Sequence, residues 1–237
     1  MSTATKMMPR IVAVSLQHLS FFDDDFTALF ADLGAQADIQ WGKEPAAALD
    51  LLQQNPAPSA VLITDATLTQ RSSHTHVWYA ILSYVRQGGT AIAMGHFSSF
   101  AKPNDIGPFF ARAGLTWQVG AYHRTDVALN SELATTLAPD LSARYSLKAL
   151  FLKGVEPAAV LYGPDESSFT QSAVFPSEKV EDLTEAAIAF AQVGDGKVGY
   201  VGDVNRERET DAAIVAMCLG TRQSGPGLNT PCQDQNS

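Results

Sequence analysis

The chain has 237 residues, of which 46% are hydrophobic and 17% are charged, and its formal net charge is −9. This length and composition suit one medium-sized globular domain and exclude a wholly disordered chain. The acidic balance argues against a protein that binds the phosphate backbone of nucleic acids, because such sites are usually basic. The short apolar run at residues 11–16 is too short for a signal-peptide core or a membrane span, so we expect no membrane association.

The cysteine content also indicates the redox compartment. The chain has two cysteines, Cys218 and Cys232, which are not spaced as metal ligands. Because Cys232 also lies in a polar tail, the sequence indicates no disulfide framework. We therefore expect a soluble protein of a reducing compartment, the cytoplasm.

From residue 10 onward, strand-like apolar runs alternate with helix-like segments. Strands are predicted at residues 11–16, 38–41, 60–65 and 90–94. Helices are predicted at residues 23–34, 44–55, 76–89 and 105–115. The first of these helices begins with the acidic residues 23–25, which favour a helix N-terminus, and ends at Gly34. This alternation predicts right-handed βαβ units and a parallel sheet covered by helices on both faces.

The second half of the chain is less regular. Residues 117–130 predict one or two strands and residues 131–138 a short helix, and further strands are predicted at residues 144–155, 158–163 and 171–175. A late hairpin is predicted at residues 186–203, where two apolar strands are joined across a Gly-Asp-Gly turn. A closing helix is predicted at residues 206–220. Residues 10–220 therefore form one predicted domain, between a flexible N-terminus (1–9) and a disordered tail (221–237).

Three stretches resemble a known family. They are YVRQGGTAIAMGHF (residues 84–97), AVLITD (60–65) and QVGDGKVGYVGDVN (192–205). The chain resembles the class I glutamine-amidotransferase-like superfamily and, within it, most resembles trehalose-utilisation (ThuA-like) proteins. The resemblance implies an α/β fold with three layers: a mostly parallel flavodoxin-like sheet with helices on both faces. It also implies a role in carbohydrate metabolism.

The same corner departs from a working amidotransferase. Such enzymes present a cysteine nucleophile in a Gly-x-Cys-x-Gly elbow, whereas residues 95–99 here read Gly-His-Phe-Ser-Ser. The usual downstream His-x-Glu partner is also missing, because His123 is followed by Arg124 and Thr125. The sequence therefore predicts a domain without glutaminase activity.

Polar residues follow several of the predicted strands, and the carboxyl ends of parallel strands meet at one edge of a sheet. An Asp65–His96 pair there could act as an oriented acid/base, since a carboxylate fixes the imidazole tautomer. The other side chains could bind a sugar or another polar ligand. These candidate ligand-binding residues are Gln17, His18, Ser98, Asp203 and Asn205.

Structural roles compete with each of these assignments. Asp65 could close an Asx turn, His96 could be a structural histidine, and Ser98 could cap a helix. Asp203 and Asn205 precede a helix and could likewise cap it.

The remaining motifs give weaker evidence for a functional site. The His-x-His pair at residues 74–76 lacks a third ligand, so no metal site is predicted. The runs 23–25 and 206–209 are interpreted as solvated charges. No phosphate-binding glycine motif is present, so no cofactor is predicted.

Three functions remain open at this stage. The first is a domain that binds a small sugar-like or keto-acid-like ligand, or a protein partner, at the sheet edge around His96. The second is a hydrolase, lyase or isomerase of a sugar-like substrate, with His96 as acid/base and Asp65 as its partner. The third is a scaffold or oligomerisation module, and a homo-oligomer is compatible with all three.

Overall fold

The structure, a computed structural model, describes residues 8–138 and 140–220. The predicted tail and most of the predicted flexible N-terminus lie outside these residues. The described residues include nine strands: β1 (Arg10–Val14), β2 (Asp38–Gly42), β3 (Ala60–Ile63), β4 (Thr90–Ala93), β5 (Gln118–Leu129), β6 (Arg144–Lys153), β7 (Val160–Gly163), β8 (Ile188–Val193) and β9 (Gly196–Val201).

Helices connect and cover these strands. They are α1 (Phe22–Asp25), α2 (Thr27–Gly34), α3 (Pro45–Gln53), α4 (Thr67–Gln70), α5 (Thr75–Arg86), α6 (Phe97–Phe100), α7 (Pro103–Ala111), α8 (Ser131–Ala134) and α9 (Arg208–Leu219). Among the described helices, none is long and apolar enough to cross a membrane.

All nine strands belong to one sheet of order β2-β1-β3-β4-β9-β8-β7-β5-β6. The pairings β2-β1, β1-β3, β3-β4 and β4-β9 are parallel. From β9 onward the pairings β9-β8-β7-β5-β6 are antiparallel. The predicted α/β architecture with a large sheet and βαβ units is therefore present, and the second half of the chain extends it with antiparallel strands.

Strand β6 lies last in the sheet order, and its outer side is also hydrogen-bonded, to residues that flank β8 and β9. Leu150 N–H donates to Gly202 O, and Leu152 exchanges both backbone hydrogen bonds with Ala186. Val204 N–H in turn donates to Lys148 O. These contacts fix the segment that follows β9, where part of the candidate site lies.

Helices cover the sheet on two faces because successive side chains of a strand point to opposite sides. Val12 and Val14 belong to a first core cluster that includes residues of α3, α5 and α7. Ile11 and Ala13 belong to a second core cluster that includes residues of α1, α2 and α9. The apolar, β-branched strands predicted as buried are thus buried on both faces.

Two local predictions were wrong. The segment 171–175 is not a strand, because the Ser172 hydroxyl accepts the backbone N–H groups of Val174 and Phe175 and so forms a local turn in place of a ladder. The predicted helix 23–34 is broken at Phe26, whose φ and ψ are −117° and 19°. This break matters for the site, because it orients α1 separately from α2.

Candidate functional site

A cavity of about 180 Å³ lies at the carboxyl ends of β4 and β9. The segment between β1 and α2, which includes α1, the corner after β4 and the loop after β9 all contribute to its wall. The lining residues are Phe21, Asp25, Phe26, Gly95, His96, Ser99, Phe100, Asp203, Val204 and Arg206. We call this cavity the rim pocket. It lies where open α/β sheets commonly bind ligands.

Three polar side chains meet in the rim pocket. His96 Nε2 lies 3.0 Å from Asp25 Oδ2, and Arg206 Nη1 lies 2.6 Å from the same oxygen. His96 is only 5% exposed, whereas the Arg206 side chain is 40% exposed. One carboxylate therefore orients a buried imidazole and holds a guanidinium that reaches solvent.

Phenylalanine rings surround His96. Ring centroids of Phe21, Phe22, Phe26 and Phe100 lie 5.1–5.5 Å from the imidazole centroid. Phe22 and Phe26 are buried, whereas Phe21 and Phe100 are 46% and 50% exposed. The pocket thus has two half-exposed aromatic side chains beside its polar groups.

Asp203 shapes the loop after β9. Its Oδ1 accepts the backbone N–H groups of Asn205 and Arg206 at 2.7 and 3.0 Å, and its Oδ2 accepts that of Glu207 at 2.8 Å. Asp203 is 5% exposed, so its carboxylate holds a tight turn ahead of α9. Asn205, also predicted to bind ligand, is exposed on this turn and does not line the rim pocket.

Asp65 has other partners than His96. Its Oδ2 accepts the Gln17 backbone N–H and its Oδ1 accepts that of Thr67, both at 2.9 Å. These bonds match the turn-closing role that was the alternative to pairing Asp65 with His96. Neither Asp65 nor Gln17 lines the rim pocket, and the carboxylate that contacts His96 is that of Asp25.

His18 lies in a separate polar group at the end of β1. Its Nδ1 is 3.0 Å from Ser15 Oγ, and its Nε2 is 3.2 Å from Asp23 Oδ1. The residue types are those of a hydrolase triad, but Ser15 is only 1% exposed and therefore inaccessible as a nucleophile. The arrangement instead orients His18 against the rings of Phe22 and Trp41.

Ser98 is neither a helix cap nor a wall of the rim pocket. It is buried within α6, and its hydroxyl donates to the Val201 carbonyl. This bond joins the corner after β4 to the end of β9. Tyr200, also next to Ser98, is fully buried, and burial raises the pKa of its phenol far above its usual value.

Within residues 8–138 and 140–220, no three His, Cys, Asp or Glu side chains are grouped to hold a metal ion. His123 lies on β5 stacked on Phe151, and burial lowers the pKa of its imidazole.

Two larger cavities, of about 860 and 470 Å³, lie towards the amino ends of the parallel strands, away from the rim pocket. Their described lining residues include no histidine, aspartate or glutamate. The larger one contains Cys218, and burial raises the pKa of its thiol far above its usual value, so it stays protonated. Of these three cavities, the rim pocket is the one lined by histidine and carboxylate side chains.

Sequence reasoning missed Asp25 and Arg206, which had been assigned to solvated charge runs. A signal for Asp25 did exist, since it lies three residues after Phe22 and directly before Phe26, on the apolar side of the helical pattern. Nothing in the pattern around Arg206 indicates its backbone conformation, which depends on the distant ion pair and on Asp203.

Comparison with known proteins addresses the fold. No family model matches the chain, and no curated protein matches it. Among solved structures, a ThuA-like protein from Bacteroides uniformis superposes with a TM-score of 0.54 at 11% identity, covering 91% of this chain and 92% of the other. A β-galactosidase from the haloarchaeon Halorubrum lacusprofundi gives a TM-score of 0.52 at 16% identity.

The two matches differ in extent. The chain covers nearly the whole ThuA-like protein, whereas 90% of it matches only 30% of the β-galactosidase. At these identities the likeness concerns the fold, and it agrees with the resemblance inferred from the strand and corner motifs. The chain has the fold of ThuA-like proteins.

Proposed function

We propose that the chain binds a small polyhydroxylated ligand, of monosaccharide size, in the rim pocket. The observation that carries this proposal is the meeting of His96, Asp25 and Arg206 beside two half-exposed phenylalanines. Catalysis of glutamine hydrolysis is not part of the proposal, because the corner after β4 carries His96 and Phe97 in place of a cysteine.

The chemistry of the pocket suits a sugar. A pyranose ring has an apolar C–H face, which packs on aromatic side chains, and a rim of hydroxyl groups. Phe21 and Phe100 offer the apolar surface, Asp25 offers a hydrogen-bond acceptor and Arg206 offers donors. A hydroxyl group both donates and accepts, so it can use the carboxylate and the guanidinium together.

The size of the pocket supports the same class. At about 180 Å³ it is smaller than the roughly 300–1,000 Å³ of pockets for drug-sized ligands. The similarity of the fold to part of a β-galactosidase and to a ThuA-like protein is compatible with a sugar-related role and adds support.

A catalytic role is the second candidate, favoured by the 3.0 Å contact between His96 Nε2 and Asp25 Oδ2. A carboxylate in this position fixes the imidazole tautomer, which suits His96 to proton transfer. In this candidate Asp25 replaces Asp65 as the orienting partner. The reaction class would be isomerisation, hydrolysis or elimination of a sugar-like substrate.

The test is a thermal-shift screen of monosaccharides, keto sugars and keto acids against wild type, Phe100→Ala and Phe169→Ala. The two phenylalanines are 50% and 47% exposed, so both substitutions should perturb folding little. Phe100 lines the rim pocket and Phe169 does not. We expect a sugar to raise the melting temperature of wild type and Phe169→Ala, and this shift to fall strongly in Phe100→Ala.

Two outcomes decide the matter. If no sugar or keto acid shifts wild type, or if Phe100→Ala keeps the full shift, the small-ligand proposal fails and a protein partner becomes the better candidate. Proton NMR of the same samples in D₂O separates binding from catalysis, because an acid/base enzyme exchanges ligand C–H protons or forms product and a binding domain does neither.

A further inference from the structure

Arg206 has a backbone conformation that its side chain does not favour. Its φ is +63°, and it is the one non-glycine residue with positive φ in the part of the chain that the structure describes. Glycine adopts this region more readily than any residue with a Cβ atom. The backbone conformation therefore does not explain an arginine at this position, and we attribute its presence to the guanidinium.

The turn is built to present that guanidinium. Asp203 accepts the Arg206 backbone N–H and those of its two neighbours, which fixes the left-handed turn. From it the Arg206 side chain crosses to Asp25, with Nη1 2.6 Å from Oδ2. Asp203, predicted to contact ligand directly, thus acts as a positioning residue for Arg206.

Asp25 and Arg206 form the oppositely charged pair that faces the rim pocket. Four titratable or charged side chains line the pocket: Asp25, His96, Asp203 and Arg206. The Asp203 oxygens are already engaged by backbone N–H groups. Arg206 is therefore the cation that balances Asp25, and loss of either partner leaves the charge of the other facing the cavity.

We propose that the Asp25–Arg206 ion pair determines the charge selectivity of the rim pocket, so that the intact pair selects an uncharged sugar over its amino or acid analogue. This inference rests on the proposed function. In the intact pair each charge is already compensated by its partner. An ammonium or carboxylate group on the ligand therefore finds no uncompensated counter-charge and still loses its hydration in a partly desolvated space, which costs affinity.

The test uses galactose, galactosamine and galacturonate as probes, with affinities measured by ligand-observed NMR. Wild type is compared with Arg206→Gly, Arg206→Ala and Asp25→Asn, and with Arg208→Ala as a control outside the pocket. Arg206→Gly keeps the left-handed turn unstrained, so it guards against a folding defect in the alanine variant.

We expect wild type and Arg208→Ala to prefer galactose. Loss of Arg206 should raise the preference for galactosamine over galactose by about tenfold or more, and Asp25→Asn should do the same for galacturonate. Galactose binding with unchanged preferences in the Arg206 and Asp25 variants overturns the inference and leaves the proposed function standing. Failure of all three probes to bind any of these proteins overturns the inference, and the proposed function falls with it only if the sugar and keto-acid screen is negative as well.

Discussion

Asp25 and Asp211 show how differently two carboxylates near the same loop are solvated and paired. Asp25 lies between His96 and Arg206, and so has a cationic partner. Asp211, in the first turn of α9, is half-buried near Asp203 and Asp32, and no ion pair of its own joins it to a described residue. Burial first, and then these two acids, raise the pKa of Asp211 to about 6.

The raised pKa predicts a pH-dependent stability. A carboxyl with a raised pKa binds its proton more tightly in the folded state, so the fold loses stability as the pH rises from the ordinary value of 3.8 to about 6 and stays at the lower level above it. Asp211→Asn cannot ionise and should raise the free energy of unfolding at pH 7.5 by about 1 kcal/mol, after allowance for solvent screening.

Urea unfolding at pH 4 and pH 7.5 measures this effect. The gain of Asp211→Asn over wild type should shrink towards pH 4, where wild type is protonated as well. Asp50→Asn, on an exposed face of α3, is the control and should show no such trend. A gain that is equal at both pH values would contradict the assignment.

At the scale of elements, the contact between α5 and the start of β9 depends on a close backbone approach. Lys197 N–H donates to Gly89 O, and a Cβ at Gly196 would overlap the carbonyl oxygens of Val85 and Gly89. Only glycine therefore fits at position 196. The parallel pairing of β4 with β9, which brings the corner of His96 beside the Arg206 loop, depends on this approach.

Gly196→Ala should destabilise the protein by about 2 kcal/mol or more, since both overlapping atoms belong to the backbone and cannot move aside. The matched control is Gly34→Ala in α2, where the nearest atom to a new Cβ is Ile39 Cδ1 at 3.9 Å. This control should be neutral or stabilising by up to about 1 kcal/mol. Thermal unfolding of both variants measures the difference, and equal effects would refute the role of the close approach.

Much of the parallel half of the sheet could be predicted because β1, β3 and β4 are continuous apolar runs next to helix-like segments. The segment 171–175 shows the limit of this method, since its composition suits a strand but the Ser172 hydroxyl engages the local backbone instead. His96 lies between β4 and α6, at the strand-to-helix corner where the sequence places it. Its carboxylate partner was not predicted, because Asp25 lies 71 residues away and its contact depends on how α1 is set against β4.

At the scale of the whole molecule, the parallel and antiparallel halves share both core clusters. Leu150 and Leu152 of β6 belong to the first core cluster together with residues of α5 and α7. Leu147 and Phe151 of the same strand belong to the second, together with residues of α2 and α9. Neither half can lose its packing without exposing apolar surface of the other.

The shared clusters predict one cooperative unfolding transition for the described region. Trp78 and Trp117 are buried in the first core cluster, so their fluorescence reports on its packing, while far-UV circular dichroism reports on all elements. Trp41→Phe removes the third tryptophan, which lies on β2. In that variant the two signals should give the same urea midpoint, and two separate midpoints would show that the halves unfold independently.

The return of β6 also bears on self-association. An unpaired strand edge can add a strand from another molecule, which is a route to aggregation. From Lys148 to Leu152 the outer edge of β6 is already hydrogen-bonded to Ala186, Gly202 and Val204. At the other end of the sheet, β2 is only five residues long and begins with an exposed aspartate. One end of the sheet is therefore hydrogen-bonded within the chain, and the other end has a short edge strand that begins with a charge. Neither end offers a long unpaired strand to which a strand of another molecule could add.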